Sequence, residues 1–107
     1  MKLKRRVDPQ NCTLVEYAYA RTGSILKAGR CLSYLTLYAA ARESLGHDPT
    51  TEEYAEWAGE SRATAFRHAA LWRSVFDKPP GVVLDAIEAQ QRGVQERVDL
   101  SGLALAS

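Results

Sequence analysis

The chain carries repeated start and stop signals for helices, and these signals constrain its fold more than any other feature. Thr13 and Glu16 have the spacing of a capping box, and Gly23 follows as a stop. Ser24 can cap a longer second helix, which Gly46 ends. Between those two residues, apolar side chains recur at three- and four-residue steps, the period of an α-helix. The first half of the chain therefore predicts two helices.

The same signals return in the second half of the chain. Thr50 and Glu53 form another capping box, and Gly59 stands where the chain must reverse with a positive φ. Ser61 is the natural cap of the next helix. That helix carries a single apolar stripe, formed by Ala65, Ala69, Trp72 and Phe76. Two consecutive prolines end it, so the pattern predicts two more helices.

A last helix is predicted from about residue 82 to residue 98. Its spacing is that of a heptad seam with one polar position, made by Leu84, Ile87, Gln91, Val94 and Val98. This seam either pairs two copies about a two-fold axis or packs back against its own chain. No strand-like run interrupts the pattern, although a short hairpin near residues 77–83 is an alternative. We therefore predict an all-α fold, a compact bundle of about five helices.

Length and composition place the chain among ordinary globular proteins. It has 107 residues, 46% of them hydrophobic and 25% charged, which suits one domain with a modest core. Cys12 and Cys31 have neither the pattern of a disulfide framework nor that of a zinc site. We expect both cysteine side chains to be buried in the core and the protein to occupy a reducing compartment. We expect it to bind no metal or cofactor. The apolar run at residues 31–41 is too short for a membrane span, so we expect a soluble, cytoplasmic protein.

The net charge of +1 conceals a segmented distribution. Residues 1–46 hold eight Lys or Arg against three Asp or Glu, and residues 47–60 hold none against five. Residues 61–80 hold four Lys or Arg against one Asp or Glu, and residues 81–107 hold two Lys or Arg against four Asp or Glu. The segments therefore run +5, −5, +3 and −2. DNA binding requires only that cations converge on one face, and the basic blocks are the N-terminus and the helix after Gly59.

The two short helices within residues 50–76 have the order of a helix-turn-helix. Ala55 is small where the second helix would cross the first, and Gly59 follows four residues later. The second helix opens with small, polar and cationic residues, as a helix that enters a DNA groove must. In that helix, Ala63 and Arg67 point away from the apolar stripe. The residues expected to face the duplex are Ser61, Arg62, Ala63, Thr64 and Arg67, with Arg73 beside a phosphate track.

The string Ser61-Arg62-Ala63-Thr64 resembles the start of recognition helices in helix-turn-helix regulators of bacteria and their phages. The wider string over residues 45–57, Leu-Gly-x-x-Pro-Thr-x-Glu-Glu-Tyr-Ala-x-Trp, resembles short helix-turn-helix proteins of actinobacteria and actinophages. The resemblance implies a transcriptional regulator, or an accessory DNA-binding factor of a phage or mobile element. The chain departs from the family at Glu60, where the residue is usually apolar. This departure implies a more exposed turn or a cationic partner for the glutamate.

DNA recognition by this helix would combine base reading with phosphate contacts. Arg62 and Arg67 offer two-pronged donors to guanine or clamp phosphates, and Thr64 or the N–H groups near Ser61 meet a phosphate oxygen. The alternative for both arginines is a solvated helix face. The N-terminal arm either follows a minor groove or the DNA backbone, or acts only as a solubilising terminus. Its cations are Lys2, Lys4, Arg5 and Arg6.

These observations divide the chain into three parts. Residues 1–10 are predicted to form a basic flexible arm, and residues 11–80 a helical core with the helix-turn-helix at 50–76. Residues 81–107 are predicted to form a C-terminal helix and tail. We expect the chain to bind double-stranded DNA as a homodimer.

Two other classes of function compete with DNA binding. An enzyme is disfavoured because the sequence has no catalytic Ser/Cys/His constellation, phosphate-binding Gly loop or histidine pair at ligand spacing. A protein-interaction module, such as an adaptor or an inhibitor of a host factor, is the stronger rival. It would bind its partner through an acidic face made of Glu52, Glu53, Glu56 and Glu60. Steep salt dependence of duplex binding would separate this class from a DNA-binding protein.

Overall fold

Five helices make up the described part of the chain, residues 6–102 of the computed structural model. They are, in chain order, α1 (Leu14–Thr22), α2 (Ile25–Leu45), α3 (Thr51–Ala58), α4 (Arg62–Val75) and α5 (Pro80–Ala89). Within this range no strand is formed, and one isolated antiparallel bridge joins Cys12 to Val98. The predicted all-α fold is confirmed. None of these helices is both long enough and apolar enough to cross a membrane.

Hydrogen bonds at the helix ends explain why the chain breaks where it does. At the start of α3, the Thr50 hydroxyl accepts the Glu53 N–H at 3.1 Å, and the Glu53 carboxylate accepts the Thr50 N–H at 2.9 Å. The same reciprocal pair, between Thr13 and Glu16, opens α1. At the far end of α3, Gly59 takes φ 69°, which a residue with a side chain adopts only with strain. The caps predicted from the sequence are therefore confirmed.

The long helix α2 is the spine of the core, because it packs against each of the other four helices. Leu35 is fully buried on its inner face, and Tyr34 meets Trp72 of α4 with ring centroids 6.2 Å apart. Trp72 in turn stacks on Phe76 at 4.3 Å. The indole N–H of Trp72 donates to the Lys78 carbonyl at 2.8 Å, which satisfies its one polar atom inside the core. The inner face of α4 is thus firmly anchored.

The C-terminal helix is shorter than predicted. Because α5 ends at Ala89, the helix predicted to reach residue 98 is wrong over its second half. Gln91 adopts φ 57°, outside the right-handed helical region. The Gln90 side chain then clamps the returning chain, since its amide donates to the Asp99 carbonyl at 2.9 Å and accepts the Asp99 N–H at 2.8 Å. These contacts hold a loop where the apolar spacing predicted more helix.

The segment after α5, residues 90–100, runs back to the start of α1 and closes the core there; we call it the returning segment. Cys12 and Val98 exchange two backbone hydrogen bonds, of 3.2 and 2.7 Å, and the Leu100 N–H donates to the Pro9 carbonyl at 2.6 Å. Val98 and Leu100 are only 3% and 1% exposed. The segment therefore contributes to the core as extended chain and not as helix.

The predicted heptad seam does not form a continuous helical stripe. Leu84 and Ile87 lie on α5 and are buried within the chain, while Val98 is buried from the returning segment. Val94 is partly buried against the same core, and Gln91 is exposed at the turn. The predicted helical seam is wrong because the chain leaves the helix between its members. Its apolar residues pack back against their own chain, which is the second of the two alternatives.

The two cysteines are free and buried, as predicted. Burial raises the pKa of the Cys12 thiol and that of the Cys31 thiol to about 11. Both thiols are therefore protonated at neutral pH and behave as small apolar side chains. Residues 6–102 contain no cluster of three or more His, Cys, Asp or Glu arranged to hold a metal ion.

Candidate nucleic-acid interface

A turn over residues 59–61 joins α3 to α4 and fixes how α4 begins. The Glu60 N–H donates to the Ala55 carbonyl at 2.9 Å, which wraps the turn around the end of α3. Ser61 then caps α4, because its hydroxyl oxygen accepts the Thr64 N–H at 3.1 Å. The Ser61 hydroxyl also donates to Thr64 Oγ1 at 2.9 Å. Ser61 is therefore the N-cap that its position predicted.

Small side chains allow α3 and α4 to pack closely. Ala55 of α3 is 3% exposed, and Ala65 of α4 is fully buried. The apolar stripe predicted for α4 is buried throughout, and it consists of Ala65, Ala69, Trp72 and Phe76. This burial fixes the rotation of α4 about its axis, so the opposite side of the helix must face solvent.

The outer face of α4 is basic, carries small side chains and has no carboxylate. The sequence of α4, RATAFRHAALWRSV, contains no Asp or Glu. Its exposed residues are Arg62, Ala63, Phe66, Arg67, Ala70, Arg73 and Ser74, which we call the α4 outer face. Four of these seven were predicted to face DNA. Of the other two predicted residues at this end, Ser61 is exposed and Thr64 is half-buried.

The three arginines of the α4 outer face have different neighbours. Arg62 donates to Glu52 of α3 at 3.1 Å, and its guanidinium carbon lies 5.9 Å from the centre of the Phe66 ring. Arg67 donates from Nε to the carbonyl one turn earlier in α4 at 3.3 Å. Within residues 6–102, neither Arg67 nor Arg73 forms a salt bridge. These two guanidinium groups therefore keep donors free for an anionic ligand.

Sequence reasoning missed three residues of the α4 outer face, Phe66, Ala70 and Ser74. The signal for two of them was present, because residues 63, 67, 70 and 74 recur at helical steps opposite the apolar stripe. Phe66 gave no such signal, since an aromatic side chain in a short amphipathic helix is usually part of the core. In the structure it is 41% exposed.

The predicted acidic face on α3 is largely neutralised within the chain. Glu52 pairs with Arg62 at 3.1 Å, and Glu53 lies 3.0 Å from His47 Nε2. The pKa of Glu53 is lowered, first by the backbone hydrogen bond of its capping box and then by the His47 side chain. Glu56 is exposed and forms no salt bridge among the residues that the structure describes. One carboxylate of this helix is thus left without a cationic neighbour.

Glu60, where the chain departs from the family, lies beside His68 of α4, which supplies a cationic partner only when its ring is protonated. Its Oε2 lies 3.4 Å from Nδ1 of His68 on α4, and its side chain is 25% exposed. The contact has the distance of an ion pair without the geometry of a hydrogen bond, so Oε2 is left with no hydrogen-bond partner among the described residues. A buried, unpartnered carboxylate oxygen therefore lies beside α4.

The structure does not bring the described part of the N-terminal arm to α4. Arg6 is exposed and lines a groove with Glu16 and Arg97 beside the start of α1, and that groove contains no residue of α4. The other predicted arm cations, Lys2, Lys4 and Arg5, lie outside the described residues.

No protein-family model, curated protein or solved structure matches this chain.

Proposed function

We propose that the chain is a helix-turn-helix protein that binds double-stranded DNA by placing α4 in the major groove. It would act in the cytoplasm as a transcriptional regulator, or as an accessory DNA-binding factor of a phage or mobile element. The observation that carries the proposal is the α4 outer face. That face presents three arginines and no carboxylate on a helix whose opposite side is anchored in the core.

The chemistry of the α4 outer face suits a groove floor lined by base edges. The major groove of B-form DNA is about 12 Å wide and admits one α-helix. Ala63, Ala70 and Ser74 keep the outer face low, so the helix backbone can approach the bases. Arg67 can donate two hydrogen bonds to guanine, and Phe66 can contact a thymine methyl group. Arg73 is placed about three turns after the start of α4, where it can contact a phosphate.

Arg62 is available to DNA although it already has a carboxylate partner. The Arg62 and Glu52 side chains are 73% and 52% exposed, so their ion pair is a surface pair. Such a pair stabilises a protein by about 0–1 kcal/mol, and a phosphate can replace the carboxylate at little cost. Glu52 would keep the guanidinium oriented until that exchange occurs.

The start of α4 provides a second kind of phosphate contact. The first N–H groups of a helix lack partners within the helix, and the helix dipole makes this end attractive to anions. Ser61 is exposed there and its hydroxyl already accepts the Thr64 N–H. The neighbouring N–H groups of Arg62 and Ala63 therefore remain for a phosphate oxygen.

A homodimer remains part of this proposal, because two copies would read two half-sites of a symmetric operator. Three of the C-terminal residues predicted to pair the copies, Leu84, Ile87 and Val98, are buried in their own chain, so another surface would have to join the copies.

The rival proposal, a protein-interaction module, would need the acidic face of α3. That face has less free charge than its sequence suggests, because Glu52, Glu53 and Glu60 each contact an Arg or His side chain. It is therefore the less supported of the two functions.

Titration with a mixed-sequence DNA duplex at several salt concentrations tests the proposal. We expect binding to weaken steeply with salt, with a logarithmic slope of about −0.9 for each phosphate contacted. Arg67→Ala should cost about 1–3 kcal/mol of affinity if the residue reads guanine, or reduce the slope by about 0.9 if it contacts a phosphate.

The matched control for this titration is Arg92→Ala, which removes an exposed arginine outside α4. Arg92 lies after α5, and it lies 3.9 Å from Glu96 on its own segment. We expect its loss to leave DNA affinity unchanged, and both variants to melt at the wild-type temperature. Equal losses for Arg67→Ala and Arg92→Ala would show that the charge of the chain, and not the α4 outer face, attracts DNA. Salt-independent binding, or none at low salt, would reject the proposal.

A further inference from the structure

A groove on the side of the molecule between α2, α3 and α4 is not used by the proposed function. Its volume is about 520 Å³, within the range of sites that bind small molecules. The groove is lined by Ile25, Leu26, Gly29, Arg30, Ser33, Tyr34, Leu37, Tyr54 and His68. It therefore touches both helices of the α3–α4 pair and the spine on which they pack.

The wall of this groove formed by α2 is apolar and unusually exposed. Ile25 and Leu26 are 70% and 61% exposed, and Leu37 is 42% exposed. Gly29 lies between them, and no atom stands within 4 Å of the position that a Cβ would occupy there. This wall has open space in front of it, and an apolar molecule that covered it would remove these side chains from water.

The inner side of the groove holds a buried hydroxyl group without a partner. Tyr54 is 1% exposed, and its hydroxyl makes no hydrogen bond among the described residues. Leaving a buried polar group unpaired destabilises a protein, so such groups are rare in a stable core. The unpaired hydroxyl therefore destabilises the free protein, and a bound polar group that paired with it would remove this penalty.

A second oxygen without a hydrogen bond belongs to Glu60, which lies outside the groove lining and contacts it through His68. Glu60 Oε2 is buried without a hydrogen bond, beside His68 of the groove lining. The Tyr34 ring lies 5.2 Å from the Tyr54 ring and 6.3 Å from the ring of His68, the residue that Glu60 contacts. Burial first, and then the charge of Glu60, raise the pKa of Tyr54 to about 12. Both oxygens can accept hydrogen bonds, and one of them carries a negative charge. Their natural common ligand is a cation with several N–H donors.

We propose that this groove binds an amphiphilic amine, whose ammonium group donates hydrogen bonds to Glu60 Oε2 and to the Tyr54 hydroxyl oxygen. The apolar body of the ligand would lie along Ile25, Leu26 and Leu37. An anionic ligand fits this arrangement less well. Its head group could reach the exposed Arg30 at the rim, but it would leave both buried oxygens unpaired.

Three probes with one apolar body test the proposal on the protein alone: hexylamine, 1-hexanol and hexanoate. Binding is followed by amide chemical shifts in NMR spectra, without DNA, so the outcome does not depend on whether the chain binds DNA. We expect hexylamine to bind more tightly than 1-hexanol, and hexanoate to bind least. The shifts should centre on the groove, because the ligand contacts α2, α3 and α4 there.

Two substitutions separate the roles of the unpartnered oxygens. Glu60→Gln should weaken hexylamine binding about tenfold or more, because hydrogen bonds to charged groups contribute about 1.5–3 kcal/mol. Tyr54→Phe should weaken it less, and should not destabilise the free protein, since it removes an unpaired hydroxyl. Glu56→Gln is the matched control, because Glu56 is an exposed glutamate of α3 that forms no salt bridge among the described residues, whereas Glu60 lies 3.4 Å from His68 of the groove lining. We expect this control to bind hexylamine like the wild type.

Several results would overturn the amine site. Tighter binding of hexanoate would assign the groove to anions through Arg30. Equal binding of all three probes, unaffected by Glu60→Gln, would reduce it to a nonspecific apolar surface. Sedimentation that shows a dimer, with Leu26→Ser restoring the monomer, would assign the α2 wall to a second copy of the chain. Absence of binding by any probe would reject the site as well.

If the groove binds an amine and the chain binds DNA as proposed, the two sites should influence each other. The ligand would contact α3, the turn and α4 together, and it would therefore favour one orientation of α4 against α2. This coupling rests on the proposed function. It is tested separately, by repeating the DNA titration with saturating hexylamine at constant ionic strength.

Discussion

The α3–α4 pair and the C-terminal segment over residues 80–100 began as similar patterns and became different structures. Both have apolar residues at three- and four-residue steps. In α4 these residues line one side of a helix, and the other side faces solvent. In the C-terminal segment they are divided between α5 and extended chain, and most are buried. Apolar spacing alone therefore does not decide whether a segment stays helical.

Local capping explains part of this difference. The α3–α4 pair has a side-chain cap at the start of each helix, at Thr50 and Ser61, and Gly59 reverses the chain between them. By contrast, α5 starts after Pro79 without a side-chain cap. At its other end, Gln91 leaves the helix with a positive φ. Where local signals are weak, distant contacts determine where the helix ends.

The two regions also use their arginines differently. Arg97 of the C-terminal segment pairs with Glu16 at 3.2 Å and donates to the Asn11 carbonyl at 3.0 Å, so it fastens the segment to the start of α1. Arg67 and Arg73 of α4 have no such partners within residues 6–102. Arg97 therefore holds the fold together, whereas Arg67 and Arg73 keep donors free for a ligand.

The largest effect should come from the C-terminal segment, if it is core as the structure indicates. Leu100 is 1% exposed, so Leu100→Ala should lower the free energy of unfolding by about 2–5 kcal/mol. Urea denaturation measures this change. Val82→Ala, at a position that is 41% exposed on α5, is the control and should be nearly neutral. If Leu100→Ala leaves the free energy of unfolding unchanged, the C-terminal segment is not part of the core, and the contrast with the α3–α4 pair is wrong.

A smaller loss is expected where α3 packs against α4. Ala55 is 3% exposed, so Ala55→Leu should overpack the contact and cost about 1–3 kcal/mol. Thermal denaturation measures the loss, and Ala40→Leu on the exposed side of α2 serves as the matched control. If Ala55→Leu melts like the control, the close packing assigned to this helix pair is wrong.

The smallest effect concerns the capping boxes that open α1 and α3. Hydrogen bonds from the Thr13 and Thr50 N–H groups lower the pKa of Glu16 and of Glu53 below 4.5. A carboxyl whose pKa is lowered by folding stabilises the protein above its ordinary pKa, and this contribution is lost as the pH falls through the lowered value. Melting temperature should therefore decrease as the pH falls below 4.5.

The variant Glu53→Gln isolates the contribution of the second capping box to this acid sensitivity. The amide oxygen can still accept the Thr50 N–H but does not titrate. The variant should therefore lose less stability than the wild type as the pH falls below the ordinary glutamate pKa of 4.5 and through the lowered value. Identical pH profiles for the two proteins would show that this glutamate is not coupled to folding.

The parts of the fold that could be predicted are those set by neighbours in the sequence. Ser61 caps α4 through a residue three positions away, and Gly59 acts through its own backbone, so both could be predicted. The end of α5 depends on contacts between Gln90 and Asp99 and on the pairing of Cys12 with Val98. Apolar periodicity contains no information about such pairings.

The candidate site was predictable to a similar extent. The rotation of α4 follows from its apolar stripe, so the exposure of Ala63 and Arg67 could be predicted. The pairing of Arg62 with Glu52 could not, because it depends on how two helices cross. The same reason hid the contact between Glu60 and His68.

The proposed function requires that the α4 outer face, and not the C-terminal segment, meets DNA. The most direct test follows backbone amide chemical shifts while a mixed-sequence duplex is added at low salt. We expect the largest changes at Ala63, Arg67 and Ala70, with little change over residues 90–100. Changes concentrated in residues 90–100 or along the apolar wall of α2, with α4 unaffected, would contradict the account.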